Sequence, residues 1–117
     1  MSISLTVVTR FFRRLIERRF AEAERVLEQI KKGAQKTDWD KGYLQALNGM
    51  LLAARASDDD RHLFLSSIKS SKKDELQKYR REFLKYTKSE LYAEYDRGFF
   101  SAWVEYTRLT FKLKKNN

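Results

Sequence analysis

Apolar residues recur along this chain at intervals of three and four, the spacing that gathers side chains on one face of a helix. Leu5, Val8, Phe12 and Leu15 form the first such stripe and predict an amphipathic helix ending near Glu17. Phe20, Ala23, Leu27 and Ile30 form a second stripe in a different register, which places a tight turn at Glu17 to Arg19. Gly33 closes the second helix behind Lys31 and Lys32, whose charges suit the negative end of a helix dipole. A third helix opens at Thr37 or Asp38, either of which can cap free amides, and runs to about Ala56 with Tyr43, Leu47, Met50, Leu51 and Ala54 inward.

Ser57 and Asp58 mark its end. Asp58, Asp59 and Asp60 then precede Leu63, Phe64 and Ile68, the acid-before-apolar order of a short fourth helix. Lys69 to Lys73 reads as a linker, and Ser71 with Asp74 three residues later as a capping-box start for a fifth helix bearing Leu76, Tyr79, Phe83 and Tyr86. A last helix carries Phe99, Trp103, Tyr106 and Thr110. Thr87 and Glu90 can cap a break between these two, the alternative being one continuous helix from Lys73 to about Leu113. The tail, 114–117, is expected to fray.

Length and composition narrow this picture to one domain. The chain has 117 residues, 42% of them hydrophobic, enough for one modest core; it has no Pro and only four Gly, so few positions forbid helix. The expected fold is all-α: a single bundle, 1–117, of about five to six helices. Cysteine is absent, which removes disulfides, thiolate nucleophiles and the commonest structural zinc sites. Arg or Lys interrupts every apolar run before the roughly 20 residues that a membrane span needs. Met1 to Ile16, with three Arg and no acid, resembles an organellar transit peptide in composition. Its apolar spacing reads instead as the first structural helix, and the expected location is the cytoplasm.

An internal repeat stands out. Trp39-Asp40-Lys41-Gly42-Tyr43-Leu44-Gln45-Ala46-Leu47 matches Tyr95-Asp96-Arg97-Gly98-Phe99-Phe100-Ser101-Ala102-Trp103 by residue class at nearly every step, 56 positions apart. At the same offset Phe20 meets Leu76, Leu27 meets Phe83 and Ile30 meets Tyr86. Two diverged helical hairpins follow, 1–57 and 71–117, joined through 58–73. Gly within a helix costs about 1 kcal/mol against Ala, so its matched recurrence asks for a compensating contact. Gly42 with Ala46, and Gly98 with Ala102, place small residues four apart on one face, which would let another backbone come close near a pseudo-twofold axis. The alternative is that the aromatic (Trp39, Tyr95), Asp, basic residue and Gly form a duplicated ligand site, with Lys41 and Arg97 presented symmetrically to an anion. The stretch Arg13 to Lys32, with Phe20-Ala21-Glu22-Ala23 at its second helix, resembles one hairpin of the tetratricopeptide repeat family. The offset of 56 departs from that family's roughly 34, and its residue pattern is not followed, so no function is carried across.

Charge supplies the functional expectation. The net charge is +9, unevenly spread: residues 1–37 hold nine basic and four acidic side chains, net +5, and 61–88 hold nine and three, net +6. In the fifth helix Lys78, Arg81, Lys85 and Lys88 follow spacings of three, four and three, opposite the apolar face. Such a row can track a phosphate backbone, and Arg10, Arg13, Arg14 and Arg18 would extend it if the first and fifth helices were neighbours. No motif for base readout is present, so contacts to RNA or DNA would be mainly with phosphates and sensitive to salt. The competing reading of the same residues is a solvated surface that keeps an aromatic-rich bundle soluble.

Catalysis has little to rest on. His62 is the only histidine, and beside Asp58, Asp59, Asp60 and Arg61 it fits a helix start better than an acid–base pair. Consecutive helical carboxylates point in different directions, so the Asp58 to Asp60 run is a poor magnesium site; no metal or cofactor is expected. Phe11, Tyr92, Phe100 and Phe111 fall outside the inward stripes and could form an apolar face. The expected function is therefore non-enzymatic association with nucleic acid, the alternative being a helical protein–protein adaptor or homodimeric scaffold.

Overall fold

In the computed structural model, which describes residues 3–56, 60–89 and 92–115 (side chains of 60–64 and 115 excepted), the chain forms helices α1 (Leu5–Ile16), α2 (Phe20–Gly33), α3 (Asp38–Arg55), α4 (Asp60–Ser70), α5 (Lys73–Lys88) and α6 (Glu94–Lys115). Its radius of gyration is 13.6 Å, close to the roughly 13 Å of a compact chain of about 100 residues. The helix α6 lies at the centre, packed most extensively against α3 and α5 and also touching α1 and α4, while α2 packs on α1 and α3.

The first two helices are joined by a left-handed turn. Arg18 has φ 61°, and its amide donates to the Leu15 carbonyl at 3.0 Å while the Arg19 amide donates to Arg14 at 2.8 Å. These paired bonds are a Schellman closure, with Arg where glycine is usual. The side chain compensates: the Arg18 guanidinium lies 5.1 Å above the Phe20 ring. At the start of α3 the Thr37 hydroxyl accepts from the Asp40 amide at 3.1 Å, and buried Asp40 in turn accepts from the Gln35 amide at 2.8 Å.

Two local expectations need correction. Ser71 does not cap α5; its hydroxyl donates to the Ser67 carbonyl at 2.5 Å and so finishes α4. The residue before α5 is Lys72, whose amide donates to Glu75 at 3.2 Å; an ammonium has no lone pair with which to return the bond, so only half of a capping box forms. The linker is accordingly two residues, Ser71 and Lys72, rather than Lys69 to Lys73. A single helix from Lys73 to Leu113 does not form either, since α5 stops at Lys88. Phe83 stacks toward Phe100 and Trp103, and Tyr86 toward Tyr92 and Phe100, so α5 and α6 run antiparallel.

The inward stripes bury much as their spacing requires, with instructive exceptions. Leu5 is 43% exposed and Phe11 fully buried, because α1 meets both α2 and α6 and needs a wider apolar arc than one stripe. In α6, Ala102, Val104, Thr107 and Leu109 are buried beside Tyr106 and Thr110, as suits a helix contacted by four others. Phe100 and Phe111 are half-buried against the core, and half-buried Tyr92 meets the Tyr86 and Phe100 rings edge-on.

The helices α3 and α6 cross at their glycines. A Cβ on Gly42 would fall onto the Tyr95 carbonyl, and a Cβ on Gly98 onto the Trp39 carbonyl. Exchanging the two helices at an offset of 56 maps one approach onto the other, the relation of helices that cross at a local twofold. Ala46 and Ala102, one turn further on, are buried in the same seam. A side chain larger than hydrogen at either glycine would push backbone from backbone, whereas Gly49, on the same helix, has nothing within 4 Å of a built Cβ.

Candidate nucleic-acid interface

The outer face of α5 follows from its sequence period. Leu76 and Phe83 are buried against α6, Tyr79 and Tyr86 are half-buried beside them, and Lys78, Arg81, Lys85 and Lys88 are all exposed. Ten residues separate the first and last of these cations, which at 1.5 Å per residue is a row about 15 Å long. Among the described residues none of the four makes an ion pair or side-chain hydrogen bond. Of the three acids on this helix two are otherwise engaged, and Asp74, four residues before Lys78, makes no ion pair among the described residues. Glu75 accepts from the Lys72 amide, and Glu82 accepts from the Tyr86 hydroxyl, which holds that phenol above its ordinary pKa.

The cations of α1 stand differently. Arg10 and Arg13 are exposed and unpaired among the described residues. Arg14 donates to Glu17 at 3.4 Å and lies 3.0 Å from Glu22, and Arg18 covers Phe20 within the turn. Neighbouring Arg19 bridges the same two glutamates, at 3.7 and 2.9 Å. The principal neighbour of α1 is α2, and that of α5 is α6. The first turn of α1 nonetheless reaches the last turns of α5: Leu5, Leu84 and Thr87 line one cleft with Trp39, Tyr43, Ser101, Val104 and Glu105. That cleft was not foreseen. Its only signal in the sequence is the pair Trp39 and Tyr43, four apart on α3, whose rings stack with centroids 5.1 Å apart.

The residues of the repeated motif divide between packing and surface. Gly42, Ala46, Gly98 and Ala102 lie in the α3–α6 seam, Trp39 is half-buried on Tyr43, and Tyr95 is 38% exposed. Lys41 is exposed, whereas the Arg97 Nε donates to the Tyr92 carbonyl at 3.0 Å and so fastens the start of α6. The two cations are held in different ways, one free and one engaged. The side chains of Asp60, Arg61 and His62, and Ser57, Asp58, Asp59 and Glu90 altogether, lie outside the described residues.

Burial shapes the remaining chemistry. Tyr43 is 1% exposed, and its hydroxyl has no hydrogen-bond partner among the described residues; burial, with a smaller contribution from the Glu105 carboxylate, pushes its pKa far up. Burial alone does the same to Tyr106. No helix among the described residues is long and apolar enough to cross a membrane. No family model, curated protein or solved structure matches the chain, so its chemistry rests on its own residues.

Proposed function

We propose that this protein is a non-enzymatic, cytoplasmic nucleic-acid-associated protein that grips the phosphate backbone with the outer face of α5. The observation that carries the reading is the row Lys78, Arg81, Lys85 and Lys88, exposed, collinear and unpaired among the described residues. One strand of B-DNA advances about 3.4 Å per phosphate, so a row about 15 Å long faces roughly four phosphates, one for each cation. Four neutralised phosphates give a log–log salt slope of about −3.6 on duplex DNA and about −2.8 on a single strand. Arg10 and Arg13 are unengaged enough to add to the footprint, whereas Arg14 and Arg18 serve the α1–α2 corner.

The adaptor reading draws less support. Among the described residues the exposed large apolar side chains are Leu5, Leu52 and Tyr95, each on a different helix, which is the scatter of an ordinary surface rather than a docking face. Binding to mixed-sequence RNA and duplex DNA across a salt series tests the proposal. Affinity that falls about 100-fold between 50 and 200 mM salt is the expected result. No binding at 50 mM salt would refute it.

A further inference from the structure

The cleft beside the basic row has the lining of a base-binding site. It has a volume of about 230 Å³, below the roughly 300–1,000 Å³ of pockets for drug-sized ligands, which suits one flat ring system. Its walls combine the Trp39 and Tyr43 side chains with Leu5, Leu84 and Val104, and its polar groups are few. Thr87 donates its hydroxyl proton to the Leu84 carbonyl at 2.7 Å and Ser101 donates to Arg97 at 2.8 Å, leaving lone pairs on both oxygens as acceptors. Glu105 accepts from Arg108 at 2.9 Å through one carboxylate oxygen. The Tyr43 hydroxyl, 99% of whose residue surface is buried, adds a proton donor with no partner among the described residues. An unpaired buried hydroxyl is destabilising, so a ligand that met it would recover stabilisation that the free protein lacks.

Position decides what that ligand is. Leu84 stands three residues after Arg81 and four before Lys88, the spacing that sets it along the edge of the cationic row. A strand whose phosphates lie on the row therefore carries its bases past the mouth of the cleft. We infer that the cleft receives one unpaired nucleobase of a single strand held along α5, its ring against Trp39 and its edge hydrogen-bonded by the Tyr43 hydroxyl and the oxygens of Thr87, Ser101 and Glu105. Stacking on an aromatic side chain and hydrogen bonding at the base edge is how unstacked bases are generally held. A duplex keeps its bases stacked and paired, and so engages only the row.

This inference rests on the proposed phosphate grip, and the experiment separates the two. Trp39 emission in a Trp103→Phe protein is followed on titration with a mixed-sequence single-stranded 12-mer, with its duplex, and with free nucleosides, at one salt concentration. The single strand should quench Trp39 at least twofold and the duplex should not. Tyr43→Phe, which removes a hydroxyl that the fold does not use, should leave the melting temperature intact or raise it, lower single-strand affinity about three- to tenfold, and leave duplex affinity unchanged. Ser101→Leu, which fills the cleft from its wall, should act in the same direction. Single-strand affinity equal to that of the unsubstituted protein in both variants overturns the base site and leaves the phosphate grip standing. Quenching by free nucleosides as strong as by the strand overturns it in favour of a small-molecule ligand. No binding of either nucleic acid removes both proposals.

Discussion

The corner between α1 and α2 and the outer face of α5 carry similar numbers of cations and use them in opposite ways. At the corner Arg14 and Arg19 share Glu17 and Glu22, and Arg18 folds over Phe20 to support a left-handed turn. On α5 two of the three acids, Glu75 and Glu82, are diverted to the Lys72 amide and the Tyr86 hydroxyl, and Lys78, Arg81, Lys85 and Lys88 face solvent without partners among the described residues. Net charge therefore counts both regions alike, while local pairing marks one as structural and leaves the other available.

The comparison is tested most strongly by removing the row. Replacing Lys78, Arg81, Lys85 and Lys88 together by Gln should weaken nucleic-acid binding at least 100-fold at 50 mM salt and leave the melting temperature nearly unchanged, as measured by fluorescence anisotropy and thermal melts. A loss of fold with the loss of binding would mean that the row is structural after all.

The α3–α6 crossing gives the complementary case, a change that damages the fold and spares the face. Gly42→Ala or Gly98→Ala should destabilise by about 3 kcal/mol, since overpacking against backbone cannot be relieved by a rotamer change. Gly49→Ala, with open space at its Cβ, should instead stabilise by up to about 1 kcal/mol. Denaturant titration of the three variants checks both signs, and folded Gly98→Ala protein should keep the wild-type salt slope.

Smaller effects belong to the corner. Arg14→Gln breaks two partly exposed ion pairs and should cost about 1 kcal/mol or less, with binding changed less than twofold. A binding loss as large as that of a single α5 substitution would erase the distinction between the regions.

Much of the architecture was legible because it is local. Helix ends at Gly33 and Thr37, the turn at Arg18 and the inward stripe of α3 all follow from spacing and caps within a few residues. Ser71 misled because a hydroxyl can serve either the helix before it or the one after, and backbone geometry decides which. Leu5 and Phe11 exchanged roles because the width of the apolar arc on α1 depends on how many helices it meets. The exposed row on α5 could be read from its period, but its freedom from ion pairs could not, since Glu75 and Glu82 stand at helical distances from Lys78 that would permit pairing. The cleft was hidden for the same kind of reason: it exists where the start of α1 reaches the end of α5, about 80 residues away in the sequence.

Alkaline titration probes the interior rather than the surface. Burial raises the pKa of Tyr43 and Tyr106 above the ordinary phenol value of 10.0, so the folded state holds these protons more tightly than the unfolded chain. Their contribution to stability is complete below pH 10.0 and declines as pH rises above it. Phenolate absorbance should show these two of the six tyrosines ionising only as the protein unfolds.

The most direct test of the central claim is the salt slope of single-strand binding measured side by side for the wild type and the four-Gln α5 variant. The wild type should give a slope of about −3 and the variant one nearer zero, a difference of about 0.7 for each cation removed. Equal slopes in the two proteins would contradict the claim, because the phosphates would then be held by some other part of the surface.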